Sequence, residues 1–99
     1  MQSSYPAVFT RDMGCTEAEW LGWLPAAVGP HDWVREGQGA LITVPPGRLA
    51  IRWQVQPPRV IALMRMPVLR VDFRFDGLDE AQRFAFMRRC DLDMQRGGG

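Results

Sequence analysis

The chain has no lysine and no asparagine, a single histidine and only two cysteines among its 99 residues. Cys15 and Cys90 stand near opposite ends and neither belongs to a Cys-x-x-Cys spacing, so the sequence holds neither a disulfide framework nor a zinc motif. His31 is isolated as well, which leaves too few soft or borderline ligands for a copper or haem site. No metal and no cofactor is therefore expected. An excess of charge of one sign is also missing. Twelve basic residues, all Arg, face 11 acidic ones for a formal charge of +1, which removes the electrostatic case for a polyelectrolyte binder or a membrane-surface protein but leaves room for a local patch.

Long hydrophobic runs are absent too. The most apolar stretch, Val60 to Leu69, is broken by Arg65 and Pro67 and falls short of the roughly 20 residues that span a bilayer. Met1 to Asp12 does not carry a basic segment followed by an apolar one, so no secretory leader is read there. A cytoplasmic, bacterial protein with free thiols is the expectation. Gly37-Gln38-Gly39 lacks the third glycine of a dinucleotide loop and is read as a hairpin turn.

What is present describes one globular domain. An apolar content of 46% in a chain of this length fills one core, assigned to residues 1–96, with Gly97 to Gly99 as a flexible tail. The exclusive use of Arg is read first as GC-rich codon usage and second as a demand for guanidinium chemistry. Tyr5 to Thr10 is rich in Tyr, Val, Phe and Thr and suggests an opening strand. Thr16 followed by Glu19 forms a capping-box pattern, and Trp20, Leu21, Trp23, Leu24, Ala27 and Val28 give the next helix a broad apolar face. Pro25 should kink that helix or restart it, and Gly29-Pro30 should end it. Asp32 to Glu36 and Ala40 to Val44 flank the glycine turn as a hairpin.

Alternation is clearest from Arg48 to Gln56, where Leu49, Ile51, Trp53 and Val55 share one face. Pro57-Pro58 predicts a turn, and the continuous apolar character of Arg59 to Met66 predicts an inner strand. A further alternating strand follows Pro67, with Leu69, Val71, Phe73 and Phe75 opposing Arg70, Asp72, Arg74 and Asp76. Asp79 or Asp76 can cap a last helix reaching about Gln95, with Phe84, Met87, Cys90, Asp91 and Met94 on one side and Phe86 at its margin. Arg83 lies near this side and should snorkel to the rim or pair with Asp79. The expected fold is α+β in two layers: an antiparallel meander of four or five strands with two helices packed on one face. In element order alone it resembles TATA-binding-protein-like and helix-grip domains, a resemblance that implies no function.

Four arginines are the principal candidates for a site. Arg48 and Arg52 share one strand face and Arg70 and Arg74 another, two strands along in the meander, so the two rows should stand about 10 Å apart on the uncovered side of the sheet. Guanidinium pairs there suit phosphate or an acidic partner, while Asp72 and Asp76 partly neutralise them. The expected function is a small non-enzymatic protein-interaction domain that presents this Arg/Asp face, or a strand edge, to a protein partner. A homodimer through a sheet edge is a variant of the same reading.

The alternative is an apolar small-ligand domain of helix-grip type, with Trp20, Trp23, Trp53, Met64, Phe73, Met87 and Met94 lining the cavity. An anion or RNA binder comes third, and it would need Trp33 and Tyr5 exposed for base stacking. An enzyme is disfavoured. The one nucleophile and base that could meet are Cys15, at a helix start, and His31, while the acidic pairs Glu17/Glu19 and Asp91/Asp93 diverge around their helices.

Overall fold

A computed structural model describes residues 4–96, and the Gly97 to Gly99 tail lies outside the described residues. The chain runs β1 (Val8–Met13), α1 (Glu17–Val28), β2 (Trp33–Glu36), β3 (Gly39–Val44), β4 (Gly47–Ile61), β5 (Met64–Asp76) and α2 (Glu80–Arg96). Five strands form one sheet in the order β1-β5-β4-β3-β2, every pairing antiparallel. The α+β expectation holds, with five strands.

Local chemistry accounts for both helix starts. The Thr16 hydroxyl accepts from the Glu19 amide at 3.1 Å while the Glu19 carboxylate accepts from the Thr16 amide at 2.9 Å, so two otherwise orphaned donors are satisfied reciprocally. Asp79 and Gln82 make the same reciprocal pair at α2, at 2.8 and 2.9 Å, so Asp79 rather than Asp76 is the cap. Pro25 does not restart α1, which runs unbroken from Glu17 to Val28. Its missing donor removes one rung of the ladder, the bond to the Leu21 carbonyl, but the helix goes on for one more turn and Gly29 still donates to the Pro25 and Ala26 carbonyls.

Both helices lie against one face of the sheet. Trp20, Leu24, Ala27 and Val28 of α1 and Phe86, Met87, Cys90 and Met94 of α2 are buried with Leu49, Ile51 and Trp53 of β4 and Leu69, Val71, Phe73 and Phe75 of β5. The period of two seen in the sequence therefore selects the core face. At the far end of the sheet from the β4–β5 turn the chain crosses itself closely. A Cβ on Gly47 would lie 2.1 Å from the Asp76 carbonyl oxygen, so that position admits no side chain.

Two boundaries differ from the sequence reading. The first strand begins at Val8, and Tyr5 precedes it as a buried core residue. The larger difference is in the middle of the chain. Pro57-Pro58 does not turn it. β4 continues through both prolines with a register shift between Gln56 and Arg59, and the chain reverses only at Ala62-Leu63. Arg59 to Met66 is thus no inner strand but the end of a β4–β5 ribbon that outruns its neighbours, for β3 reaches only Arg52 and β1 only Leu69. The proline pair is accommodated because β4 has no third strand beside it there, so a missing donor interrupts no central ladder.

Candidate functional site

The uncovered face of the sheet carries all four predicted arginines, but in a different arrangement. Strands β4 and β5 are neighbours and not two places apart, so no 10 Å gap separates two rows. Arg48 stands directly opposite Asp76, Arg52 opposite Asp72, Arg70 opposite Gln54 and Arg74 opposite Ala50. Directly opposed residues share a face, which interleaves guanidinium and carboxylate like a checkerboard.

Two of the four are neutralised. Arg48 donates to Asp76 at 3.3 Å, and Arg70 donates through Nε and Nη2 to the two oxygens of Asp12 at 3.0 and 3.4 Å. The Arg70 hydrogen bond holds the Asp12 carboxyl below its usual pKa, and Asp12 in turn raises Arg70. Asp72 accepts from the Thr10 hydroxyl at 2.6 Å. Arg52 and Arg74 form no side-chain hydrogen bond or ion pair among the described residues. They are diagonal neighbours on adjacent strands, a relation that sets backbones roughly 7–8 Å apart. Ala50 lies beside them with no bulk, and the exposed apolar residues Val8, Val34 and Leu41 continue the Arg74–Ala50 row across the sheet. Arg52 also borders an open cleft of about 350 Å³ with Glu36, Gln38 and Asp72.

A second charged group, not singled out in the sequence, sits on the covered side. Arg11 of β1 donates to both oxygens of Asp91 of α2 at 2.6 and 3.1 Å, and the Tyr5 hydroxyl donates to Asp91 Oδ2 at 2.6 Å. The Arg11 guanidinium carbon lies 5.4–5.7 Å from the rings of Tyr5, Phe9 and Phe73. Burial first, and then the bond to Asp91, raise the Tyr5 hydroxyl. Burial alone would lower Arg11, but the hydrogen bond and charge of Asp91 prevail and raise it. Arg83 neither snorkels nor meets Asp79: its Nε and Nη1 each donate at 2.8 Å, to the carbonyls of Tyr5 and Leu78. Together these bonds tie the N-terminal segment to α2. Two signals were available for the trio. Arg11 alternates in phase with Phe9 and Met13, and Asp91 follows Met87 by one helical turn.

The cavity-lining candidates do not converge on a pocket. Trp20, Trp53, Phe73 and Met87 are buried and packed in the core, Trp23 packs at its edge, and Met94 joins it from α2. Met64 is the correction: it is 65% exposed, on the ribbon beside the β4–β5 turn, because the strand expected to be internal projects beyond the helices. Trp53 Nε1 donates to Glu17 at 2.8 Å and its ring meets Trp20 edge-on at 5.7 Å, so the polar edge and the ring of that buried indole are both engaged in structure. Trp33 packs against the core and Tyr5 is buried, which leaves neither free to stack on a base.

Cys15 and His31 cannot act together. They flank opposite ends of the 12-residue α1, a separation of about 18 Å at the helical rise. Burial, followed by the charge of Glu19, raises the Cys15 thiol, the reverse of activation by a helix dipole. His31 Nδ1 is bonded to the Val28 carbonyl at 2.8 Å and its ring meets Phe86 edge-on. Both cysteines are free and buried, and burial pushes Cys90 up to about 12. Among the described residues no three His, Cys, Asp or Glu side chains gather as a metal-binding group, and no helix is long and apolar enough to cross a membrane. No family model and no curated protein matches this chain, so a functional reading rests on the geometry just given.

Proposed function

We propose that this chain is a small, non-enzymatic protein-interaction domain whose open sheet face receives an acidic, aliphatic segment of a protein partner at Arg52 and Arg74. One observation carries the reading: these two neighbouring guanidiniums are unpaired while Arg48 and Arg70, on the same face, are each held by a carboxylate. Two free planar forks at this spacing suit carboxylates on a partner chain, and Val8, Val34 and Leu41 supply apolar contacts beside them. Specific interfaces combine such an apolar centre with Arg anchors. The anion or RNA reading has the arginines but no free aromatic platform, and the ligand-cavity reading has lost its lining to the core.

Affinity purification at low and high salt, comparing wild type with the Arg52→Glu/Arg74→Glu pair, tests it. The pair should lose a protein partner while Arg48→Glu and Arg70→Glu, whose charges are already neutralised, keep most of it. Equal retention by all variants refutes the assignment of the face. Recovery of nucleic acid, with affinity falling steeply as salt rises, moves the site to the anion-binding reading instead.

A further inference from the structure

The β4–β5 ribbon ends in a turn that breaks its own local rules. Ile61 pairs with Met64, so Ala62-Leu63 is a two-residue connection, a place that favours Asn-Gly or a similar glycine-bearing polar pair. Here Ala62 holds φ at 55°, and Leu63 stands at 103% exposure with Val60, Ile61 and Met64 at 65, 56 and 65%. Scattered apolar residues on a surface need no explanation, but Val60 to Met64 are five in succession at the end of a ribbon that outruns the sheet. A segment that departs from local preference with no compensating contact inside the chain marks a functional site.

The apolar surface of this tip has no single side. Val60 and Arg65 oppose each other on one face of the ribbon, whereas the pairs Ile61–Met64 and Arg59–Met66 share the other, and Leu63 occupies the turn itself. Neither face alone carries the area of a specific protein interface, and Pro57, Pro58 and Pro67 interrupt the backbone donors along the edges. The occupant therefore surrounds the tip on both faces and at its end, as a fluid apolar medium does. Charge identifies that medium. Segment 54–68 holds Arg59 and Arg65, one on each face, and no acid. Asp12, whose carboxyl feels the Arg59 charge, already accepts two hydrogen bonds from Arg70. Arg65 is two residues from Leu63 and Arg59 three from Ala62, about 7 and 10 Å at the rise of a strand. A bilayer interface presents the same order, with acyl chains innermost and anionic phosphates about 5–10 Å further out.

We propose that the tip Val60-Ile61-Ala62-Leu63-Met64 enters the interface of an anionic phospholipid bilayer, with Arg59 and Arg65 on lipid phosphates and the sheet held above the surface. The long guanidinium stems reach the phosphates while their methylenes stay with the apolar tip. A formal charge of +1 for the whole chain does not oppose this contact, because attraction to the lipid surface falls off within a Debye length and acts on the local pair. The contact is peripheral. A ribbon with open edges cannot pass deeper into hydrocarbon, where unpaired backbone groups are costly, and no helix among the described residues is long and apolar enough to cross. The tip is a different surface from Arg52 and Arg74, which lie about 30 Å behind it at the rise of a strand.

Flotation of the full chain with vesicles of phosphatidylglycerol and phosphatidylcholine in equal parts, or of phosphatidylcholine alone, provides the test. Wild type should float with the mixed vesicles, less with the neutral ones, and less as salt rises. Leu63→Asp should lower the partition coefficient at least about tenfold, and the Arg59→Gln/Arg65→Gln pair should lower it about tenfold and remove most of its salt dependence. All three positions are exposed, and retention of the wild-type circular dichroism shows that the fold survives. Because Cys15 and Cys90 are buried, a thiol-reactive, environment-sensitive fluorophore on Leu63→Cys reports the tip alone. Its emission should shift to the blue on mixed vesicles, while the same label on Ala81→Cys, exposed at the start of α2 beyond the opposite end of β5, should not shift. A wild type that the mixed vesicles leave unbound overturns the proposal, as does a Leu63→Asp variant that floats equally well or an unshifted label at position 63. A lipid-free dimer in sedimentation that Leu63→Asp dissociates overturns it in favour of a second copy. The Arg52→Glu/Arg74→Glu pair lies beyond a Debye length from the tip and should float as wild type does, whatever its pull-down shows.

Discussion

Removing the Asp91 carboxylate by Asp91→Ala is the most direct probe of what joins the first strand to the last helix. Asp91 accepts three bonds, two from Arg11 and one from Tyr5, all between 2.6 and 3.1 Å. Its loss takes the Asp91 carboxylate away from an Arg11 charge held among the rings of Tyr5, Phe9 and Phe73. Stripping one partner from a fully buried pair costs about 3–5 kcal/mol. Here the Arg11 and Asp91 side chains keep 22% and 15% of their exposure, and water reaching them lowers the expected cost to about 2–4 kcal/mol. Against a total stability of roughly 5–15 kcal/mol for a domain, that is a large fraction. Urea unfolding followed by the fluorescence of Trp20 and Trp53 reads it as a midpoint lowered by about 1–3 M. Arg11→Met and the double variant complete a cycle, in which the double variant should be more stable than the two single losses added together. A cost below about 0.5 kcal/mol for Asp91→Ala, or a coupling of zero, would refute the view that this trio ties β1 to α2.

Three other outcomes follow from the same structure. Ala62 holds φ at 55° in the β4–β5 turn, a left-handed conformation that penalises a Cβ, so Ala62→Gly should raise stability by up to about 1 kcal/mol in thermal unfolding; a lower midpoint contradicts the strained turn. Cys15 and Cys90 should resist iodoacetamide at pH 8 until denaturant is added, because burial raises both thiols, Cys90 to about 12. The sign of the linkage follows: a thiol whose folded pKa is raised contributes stability below its ordinary value of 9.0 and loses it progressively up to about 12, so the Cys90→Ala variant should show a shallower alkaline loss of stability than wild type. Arg70→Met should move the Asp12 carboxyl back up toward 3.8 in an NMR titration; because that pKa is depressed in the folded protein, the ion pair's contribution is present above 3.8 and fades as acid protonates Asp12.

Most of the fold was legible because it depends on local periodicity and local caps. The alternation at Leu49, Ile51, Trp53 and at Leu69, Val71, Phe73, Phe75 announced the core face, and Thr16 with Glu19 announced α1. Arg59 to Met66 failed for a definite reason. A continuous apolar run reads the same whether it is buried on both faces or exposed on both, and a proline pair reads as a turn unless the strand's outer edge is known to be empty. The four arginines were correctly assigned to one type of face, yet their pairing depended on strand order. Once β4 and β5 proved adjacent, the Asp partners fell opposite Arg48 and Arg52 and left Arg74 beside Ala50.

By itself the sequence determined which residues of the alternating strands turn inward and where the first helix begins. These are properties of neighbours along the chain, set by periods of two and 3.6 and by side chains that bond their own backbone. The tertiary structure alone decided which charges are spent on each other and which remain free. Arg11, Tyr5 and Asp91 are far apart in sequence and meet only because β1 pairs with β5 beneath α2, whereas Arg52 and Arg74 lie on adjacent strands and, although Asp72 stands opposite Arg52, form no ion pair among the described residues. It also decided that the apolar stripe of β4 and β5 outlasts the helices covering it, since the length of a strand is local but the length of its cover is not.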